Sequence, residues 1–218
     1  MRIVVFGDIH MQTVRLAEVD GLREADLVLV TGDLTHFGGS SEAQKVLEAI
    51  TSFNPHVLAI HGNLDRPGVA ALLQKRFMSL HGTAKVTEGL GLMGVGGSNP
   101  TPFHTPCEYP EEEIEFLLKQ GLKALDGHRP FLLLSHPPPA RTSVDRLGSG
   151  SHVGSMAVRD FIERHGPAFC LCGHIHEARG IEKIGNTVIV NTGTLQEGGW
   201  LELTYMGERF TYTLHSHA

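Results

Sequence analysis

Short apolar runs recur along the chain at residues 3–6, 27–31, 57–60, 92–95, 131–135 and 169–172. They are continuous rather than alternating, the pattern of strands buried on both faces. Three further β-like segments follow at 187–190, 200–204 and 209–214. Helix-like stretches lie between, at 14–24, 41–53, 67–77, 110–122 and 155–164. Pro110 followed by Glu111, Glu112 and Glu113 fits a helix start, where acidic groups oppose the helix dipole. Ile114, Leu117, Leu118 and Leu122 then recur at helical spacing, a core-facing stripe. Strand–helix alternation over the first two thirds predicts a mainly parallel layer, and the last third turns β-rich.

The bulk properties bound this picture. A length of 218 residues with 41% hydrophobic content fits one α/β domain over residues 1–218 with a sizeable core. The formal net charge is −6 with histidine neutral, and no run of lysine or arginine occurs. That argues against nonspecific nucleic-acid binding, which needs phosphate neutralisation. The opening Met1-Arg2-Ile3-Val4-Val5-Phe6 is too short for a signal segment and reads as the first strand. No apolar run approaches the roughly 18 residues of a membrane span. No membrane partner is expected, and cytoplasmic location is the default. The cysteines Cys107, Cys170 and Cys172 do not make a disulfide framework. Cys170 and Cys172 read as packing residues on opposite sides of their strand. Residues 96–110 and 137–154, rich in Gly, Pro and Ser, read as long loops suited to substrate recognition.

The candidate chemistry sits at turn positions, mostly just after the apolar runs: Gly7-Asp8-Ile9-His10, Gly32-Asp33, Gly62-Asn63, Ser135-His136 and Gly173-His174-Ile175-His176. Each cluster would lie at a strand's C-terminal end, the edge where open α/β sheets bind ligands. Two Asp, one Asn and four His form a mixed oxygen and nitrogen donor set that suits borderline transition metals. Seven such groups exceed what one ion usually needs and would suit two ions sharing a carboxylate.

Taken in order, Asp8-x-His10, Gly32-Asp33, Gly62-Asn63-x-Asp65, His136 and Gly173-His174-x-His176 resemble the five signature blocks of the calcineurin-like metallophosphoesterases. The resemblance implies a four-layer α/β/β/α sandwich of two mixed β-sheets flanked by helices. It implies Asp8, His10 and His176 on a first metal, Asn63, His136 and His174 on a second, and Asp33 bridging. It further implies a metal-dependent phosphoesterase, most plainly a phosphodiesterase acting on small phosphate esters by in-line attack of a metal-bridging hydroxide. By the same resemblance the ions are divalent transition metals, manganese first, with iron, zinc, nickel or cobalt compatible. Many small relatives form dimers, so a homodimer is one candidate assembly.

Leu64 departs from the family. Most members read Gly-Asn-His-Asp or Gly-Asn-His-Glu there, and that histidine contacts phosphate and can protonate the leaving group. A leucine does neither. Asp65, the usual orienting partner, reads instead as a cap on the following turn. His152, in a segment resembling the His-x-Gly element of a subgroup, is the candidate catalytic replacement. His36 is a further candidate at the metal edge, and His61 reads as structural. His56, His81, His128 and His165 read as surface residues, and His215 and His217 as a frayed tail. Asn191-Thr192-Gly193-Thr194 reads as a tight turn near the site. The competing class is a catalytically weak or inactive member acting as a metal-binding scaffold or interaction protein. Leu64 favours that class, and the complete ligand set opposes it.

Overall fold

The computed structural model describes residues 1–207 and 209–216; His217 lies outside them. In chain order the elements are β1 (Arg2–Phe6), β2 (Leu27–Val30), α1 (Ser40–Phe53), β3 (Val57–Ala59), α2 (Pro67–Lys75), β4 (Ala84–Thr87), β5 (Leu90–Val95), α3 (Glu111–Ala124), β6 (Phe131–Ser135), α4 (Met156–His165), β7 (Phe169–Cys172), β8 (Gly180–Ile184), β9 (Thr187–Asn191), β10 (Trp200–Met206) and β11 (Arg209–His215).

The strands form two mixed sheets, ordered β11-β10-β1-β2-β3 and β4-β5-β6-β7-β9-β8. In the first, β1, β2 and β3 are parallel, and β10 and β11 add antiparallel. In the second, β5, β6, β7 and β9 are parallel between antiparallel edges β4 and β8. The parallel strands are buried on both faces, which is why their sequences are continuous apolar runs. Alternate residues of β1 show how they divide. Ile3 and Val5 pack with Leu134 and Leu171 between the two sheets. Val4 and Phe6 pack outward against Val46, Leu47 and Ile50 of α1 and Val69 and Leu73 of α2. On the far side, Leu133 and Cys170 meet Ile114 and Leu118 of α3 and Val158 and Ile162 of α4. The layers therefore run helix, sheet, sheet, helix, as the motif blocks imply.

Several expectations are corrected. The stretch 14–24 forms only a 3-10 turn, Val14–Glu18, because the chain turns extended at Val19 and left-handed at Gly21. The edge strands β4 and β8 lack an apolar run to announce them, since each is half exposed. Cys170 and Cys172 belong to the same cluster, because side chains two apart in a strand share a face. His215 is no frayed tail residue: it ends β11 with its ring stacked on Trp200, centroids 3.8 Å apart. Glu111 serves α4 rather than its own helix alone, accepting hydrogen bonds from Ser155 Oγ, Met156 N and Ala157 N. Among the described residues no helix is long and apolar enough to cross a membrane.

Candidate metal centre

The C-terminal ends of β1, β2, β3, β6 and β7 deliver Asp8, Asp33, Asn63, His136 and His174 to one edge. The ladder continues past the strands, with Asp8 N donating to Gly32 O and His10 N to Asp33 O. Asp8, His10, Asp33 and His174 all sit at left-handed φ, between 47° and 69°. Such strain in non-glycine residues persists where surrounding structure enforces it and gathers at functional sites. Two glycines explain how the donors approach one another. A Cβ on Gly62 would overlap the Asp33 carboxylate, and one on Gly173 would overlap that of Asp8.

All seven expected ligands lie in this region. Ligand atoms of Asp8, His10 and His176 fall within 4.8 Å of one another, as do those of Asp8, Asp33 and His136. His10 Nε2 is 3.2 Å from His176 Nε2, which is 3.3 Å from Asp8 Oδ1. Asp33 Oδ2 stands between the two groups, 4.0 Å from His10 Nε2 and 3.6 Å from His136 Nε2. The His174 ring packs on His136 with centroids 5.2 Å apart, and its backbone N–H donates to Asp8 Oδ2 at 3.1 Å.

The donors fit a cation. His136 Nδ1–H donates to Thr31 O at 2.9 Å, and His10 Nδ1–H to Thr35 O at 3.4 Å. Each bond fixes a tautomer whose Nε2 lone pair faces inward, the orientation that metal-bound histidines adopt. His136 Nε2 then lies 2.9 Å from Asn63 Oδ1. Two lone pairs at that distance repel unless positive charge lies between them. Burial holds the His136 and His10 imidazoles below their ordinary protonation range, so neither ring readily supplies that charge itself. Burial, with repulsion from His136, takes His174 down to about 3. Burial also pushes Asp33 well above the usual carboxylate range, reinforced by Asp65 and Asp8. For Asp8 burial acts upward, but the hydrogen bond from His176 and the neighbouring imidazoles leave it lowered. His176 is disfavoured as a cation by burial, yet its bond to Asp8 raises it.

Neighbouring groups that sequence reasoning missed orient this set. Asn63 Nδ2 donates to Thr105 Oγ1 at 2.9 Å, and Thr105 Oγ1 donates to Glu108 at 2.6 Å. That chain turns the amide oxygen inward. Burial works against the Glu108 carboxylate, but donors from Thr101 and Thr105 bring it down to about 2. Asp65 does not cap α2. It accepts from Leu34 N, Thr35 N, Thr35 Oγ1 and Gly62 N, tying two ligand loops together. Leu64 is half-buried, and its backbone N–H donates to Asp33 Oδ1 at 2.9 Å.

His152 is exposed, and its Nδ1–H donates to the buried Asp145 Oδ1 at 2.6 Å. Burial acts upward on Asp145, but His152 and the backbone N–H groups of Thr142, Gly154 and Arg141 lower it. The pair lies seven residues apart, a spacing with no periodic signal. His36 is exposed with its ring 5.8 Å from that of His10. His61 is buried, bonded to Tyr109 at 3.1 Å and packed on His81 with centroids 4.6 Å apart. His81, expected at the surface, is half-buried and accepts from Gly96 N, a correction that follows from this cluster. The turn at 191–194 forms as expected, with Gly193 at φ 68° and its N–H donated to Asn191 Oδ1.

Two cavities flank the centre, sharing Leu64 and His176. One, of about 830 Å³, is lined by polar residues including Gln12, Arg15, Gln196 and Glu197. The other, of about 810 Å³, lies beneath the loops 96–110 and 137–154 and includes Phe103 and His152.

A family model described as calcineurin-like phosphoesterase matches residues 1–178. An uncharacterized protein of Methanocaldococcus jannaschii is 42% identical over 199 residues, 88% of this chain and 87% of its own length. A 3′,5′-cyclic adenosine monophosphate phosphodiesterase of Escherichia coli K12 is 27% identical over 175 residues, 78% of this chain and 62% of that enzyme. Among solved structures, a protein of Thermus thermophilus superposes with TM-score 0.73 at 20% identity, covering 98% of each chain. A dimetal phosphatase of Danio rerio superposes with TM-score 0.67 at 11% identity, covering 99% of this chain and 96% of that one. At those identities the structural likeness is one of fold.

Proposed function

The chain belongs to the calcineurin-like phosphoesterase family, whose members are metal-dependent hydrolases of phosphate esters, and on that premise we propose that it is a two-metal phosphodiesterase. In this reading Asp8, His10 and His176 would hold the first ion, Asn63, His136 and His174 the second, and Asp33 would serve both. The observation that carries the reading is the 2.9 Å approach of His136 Nε2 to Asn63 Oδ1, which calls for a cation. Asp33 Oδ2, reached by a histidine from each group, supports the bridge. Asp8 belongs to both groups, so its carboxylate is an alternative bridging donor. Bound there, two divalent cations, manganese first, would polarise the phosphoryl oxygens and supply an activated water.

The chain's own residues do the rest. Thr31 and Thr35 carbonyls hold His136 and His10 with Nε2 inward. Thr105 holds Asn63 with its oxygen inward. His152, braced by Asp145, stands in the cavity that Leu64 leaves without a proton donor, and it protonates the departing oxygen. A diester carries one negative charge and a monoester about two. Beyond the ions themselves, no lysine or arginine lines that cavity among the described residues to meet a second charge, which favours the diester. The similarity to an enzyme named for cleaving a cyclic phosphodiester supports the same class. The whole chain, residues 1–218, acts as one domain on a small-molecule phosphate ester.

The test is metal content of the purified protein, with hydrolysis of bis(p-nitrophenyl) phosphate and p-nitrophenyl phosphate after adding manganese. About two ions per chain with preferential diester cleavage is the expected result. Two ions without turnover would favour the scaffold class. No bound metal under any condition would refute the ligand assignment.

A further inference from the structure

The two cavities differ in chemistry, and the metal centre lies where they meet. The wall of one is apolar: Phe37, Leu64, Pro100, Pro102, Phe103 and Leu147 face it. Its aromatic side chains are open to solvent, Phe103 being 82% and Phe37 45% exposed. Large exposed aromatics beside a polar centre mark a binding surface. Apart from Asp33 at the metal centre, the charged residue lining it is Glu177, and no lysine or arginine lines it among the described residues. The part of the cavity away from the centre therefore offers no cationic partner to a charged arm, and a neutral arm fits. The other cavity has Met11 and Leu64 in its wall but also Gln12, Arg15, His36, Thr194, Gln196 and Glu197, donors and acceptors suited to a hydroxylated group. Leu64 and His176 line both. A phosphorus held at the centre would thus send one ester arm into each cavity.

We infer that the substrate is an unsymmetrical phosphodiester whose leaving group is an uncharged aromatic alcohol held against Phe103 and Phe37, and whose retained arm is polar. The inference rests on the phosphodiesterase reading for its chemistry, but the cavity itself is independent of turnover. The direction of cleavage follows from His152, the proton donor that lines the apolar cavity. Water oxygen bonds to phosphorus as the bond from phosphorus to the aromatic arm's oxygen breaks. That oxygen takes a proton from His152, which is restored from the attacking water. The products are the aromatic alcohol and a phosphomonoester of the polar arm, so atoms and charge balance.

Two measurements on manganese-loaded protein test this. By calorimetry, phenethylphosphonate should bind about tenfold more tightly than ethylphosphonate, the scale of one aromatic contact. Phe103→Ala or Phe37→Ala should collapse that ratio toward one. Equal affinities in the wild type, or a ratio indifferent to both substitutions, would overturn the aromatic assignment. Second, phenethyl glyceryl phosphate in isotopically labelled water should release phenethyl alcohol and leave label in glycerol phosphate. Release of glycerol instead overturns the assignment of the leaving arm. So does no turnover of this diester while bis(p-nitrophenyl) phosphate is cleaved. Failure to cleave either diester removes the phosphodiesterase reading, and the binding ratio then judges the cavity alone.

Discussion

Replacing His152 with alanine separates protonation of the leaving group from every other contribution to catalysis. The side chain is 42% exposed, and its bond to Asp145 Oδ1, at 2.6 Å, is the contact that holds it. Losing a partly solvated pair of this kind costs at most about 1 kcal/mol of fold stability. His152 is not among the expected ligands, so metal content should not change. The catalytic loss depends on what departs. For an alkoxide, which is a poor leaving group, removing the acid should lower kcat by roughly 10²–10⁴, or about 3–5 kcal/mol of barrier. For p-nitrophenoxide, which leaves without a proton, the loss should stay within about tenfold. The assay compares wild type and His152→Ala on bis(p-nitrophenyl) phosphate and on an alkyl diester, with metal content measured on each sample. Equal losses on both substrates, or none on either, would refute the role assigned to His152. Leu64 would then mark a site that works without any side-chain acid.

Asp33→Asn should abolish turnover and weaken binding of both ions, since its Oδ2 faces a histidine of each group; near-normal activity by the same assay would sink the bridging assignment. Thr105→Val removes the acceptor of Asn63 Nδ2, freeing the amide to turn, and should weaken metal affinity about 10-fold or more; a competition titration that finds unchanged affinity for both ions would refute this orienting role. Stability should fall on acidification below the ordinary histidine range. Burial lowers His81 from 6.5 to about 4, so the unfolded chain binds its proton first, and the stability present above pH 6.5 is lost progressively toward pH 4. His81 alone should cost about 2 kcal/mol between pH 7 and pH 5, with His61, lowered well below its ordinary value by burial, adding to it. Urea unfolding that gives the same stability at both pH values would contradict the buried cluster.

The strands of the parallel cores were legible because each is buried on both faces and therefore continuously apolar. The half-exposed β4 and β8 were not, because edge strands need no such run. The stretch 14–24 carried helical spacing but lost its helix to Val19 and Gly21. Asp145, Thr105 and Glu108 escaped notice for a different reason. Each acts through a hydrogen bond to one particular atom, and nothing periodic in the chain announces such a bond.

By itself the residue pattern determined an α/β class with a mainly parallel layer, and the strand ends at which donors would appear; the four-layer arrangement came from the resemblance of the motif blocks. Class and strand ends are local matters, set by which residues can be buried and which must turn back at a strand's end. Only the tertiary structure decided which donors meet. Asp8 and His176 are 168 residues apart, and Asn63 and His136 are 73 apart. Whether such pairs stand in contact or well apart depends on sheet stagger and on side-chain rotamers. It also depends on close approaches such as that of Gly62 to Asp33. The two unlike cavities beside the centre have the same origin. They exist because the loops 96–110 and 137–154 fold over one side of a single edge while the N-terminal turn and the 191–197 segment border the other.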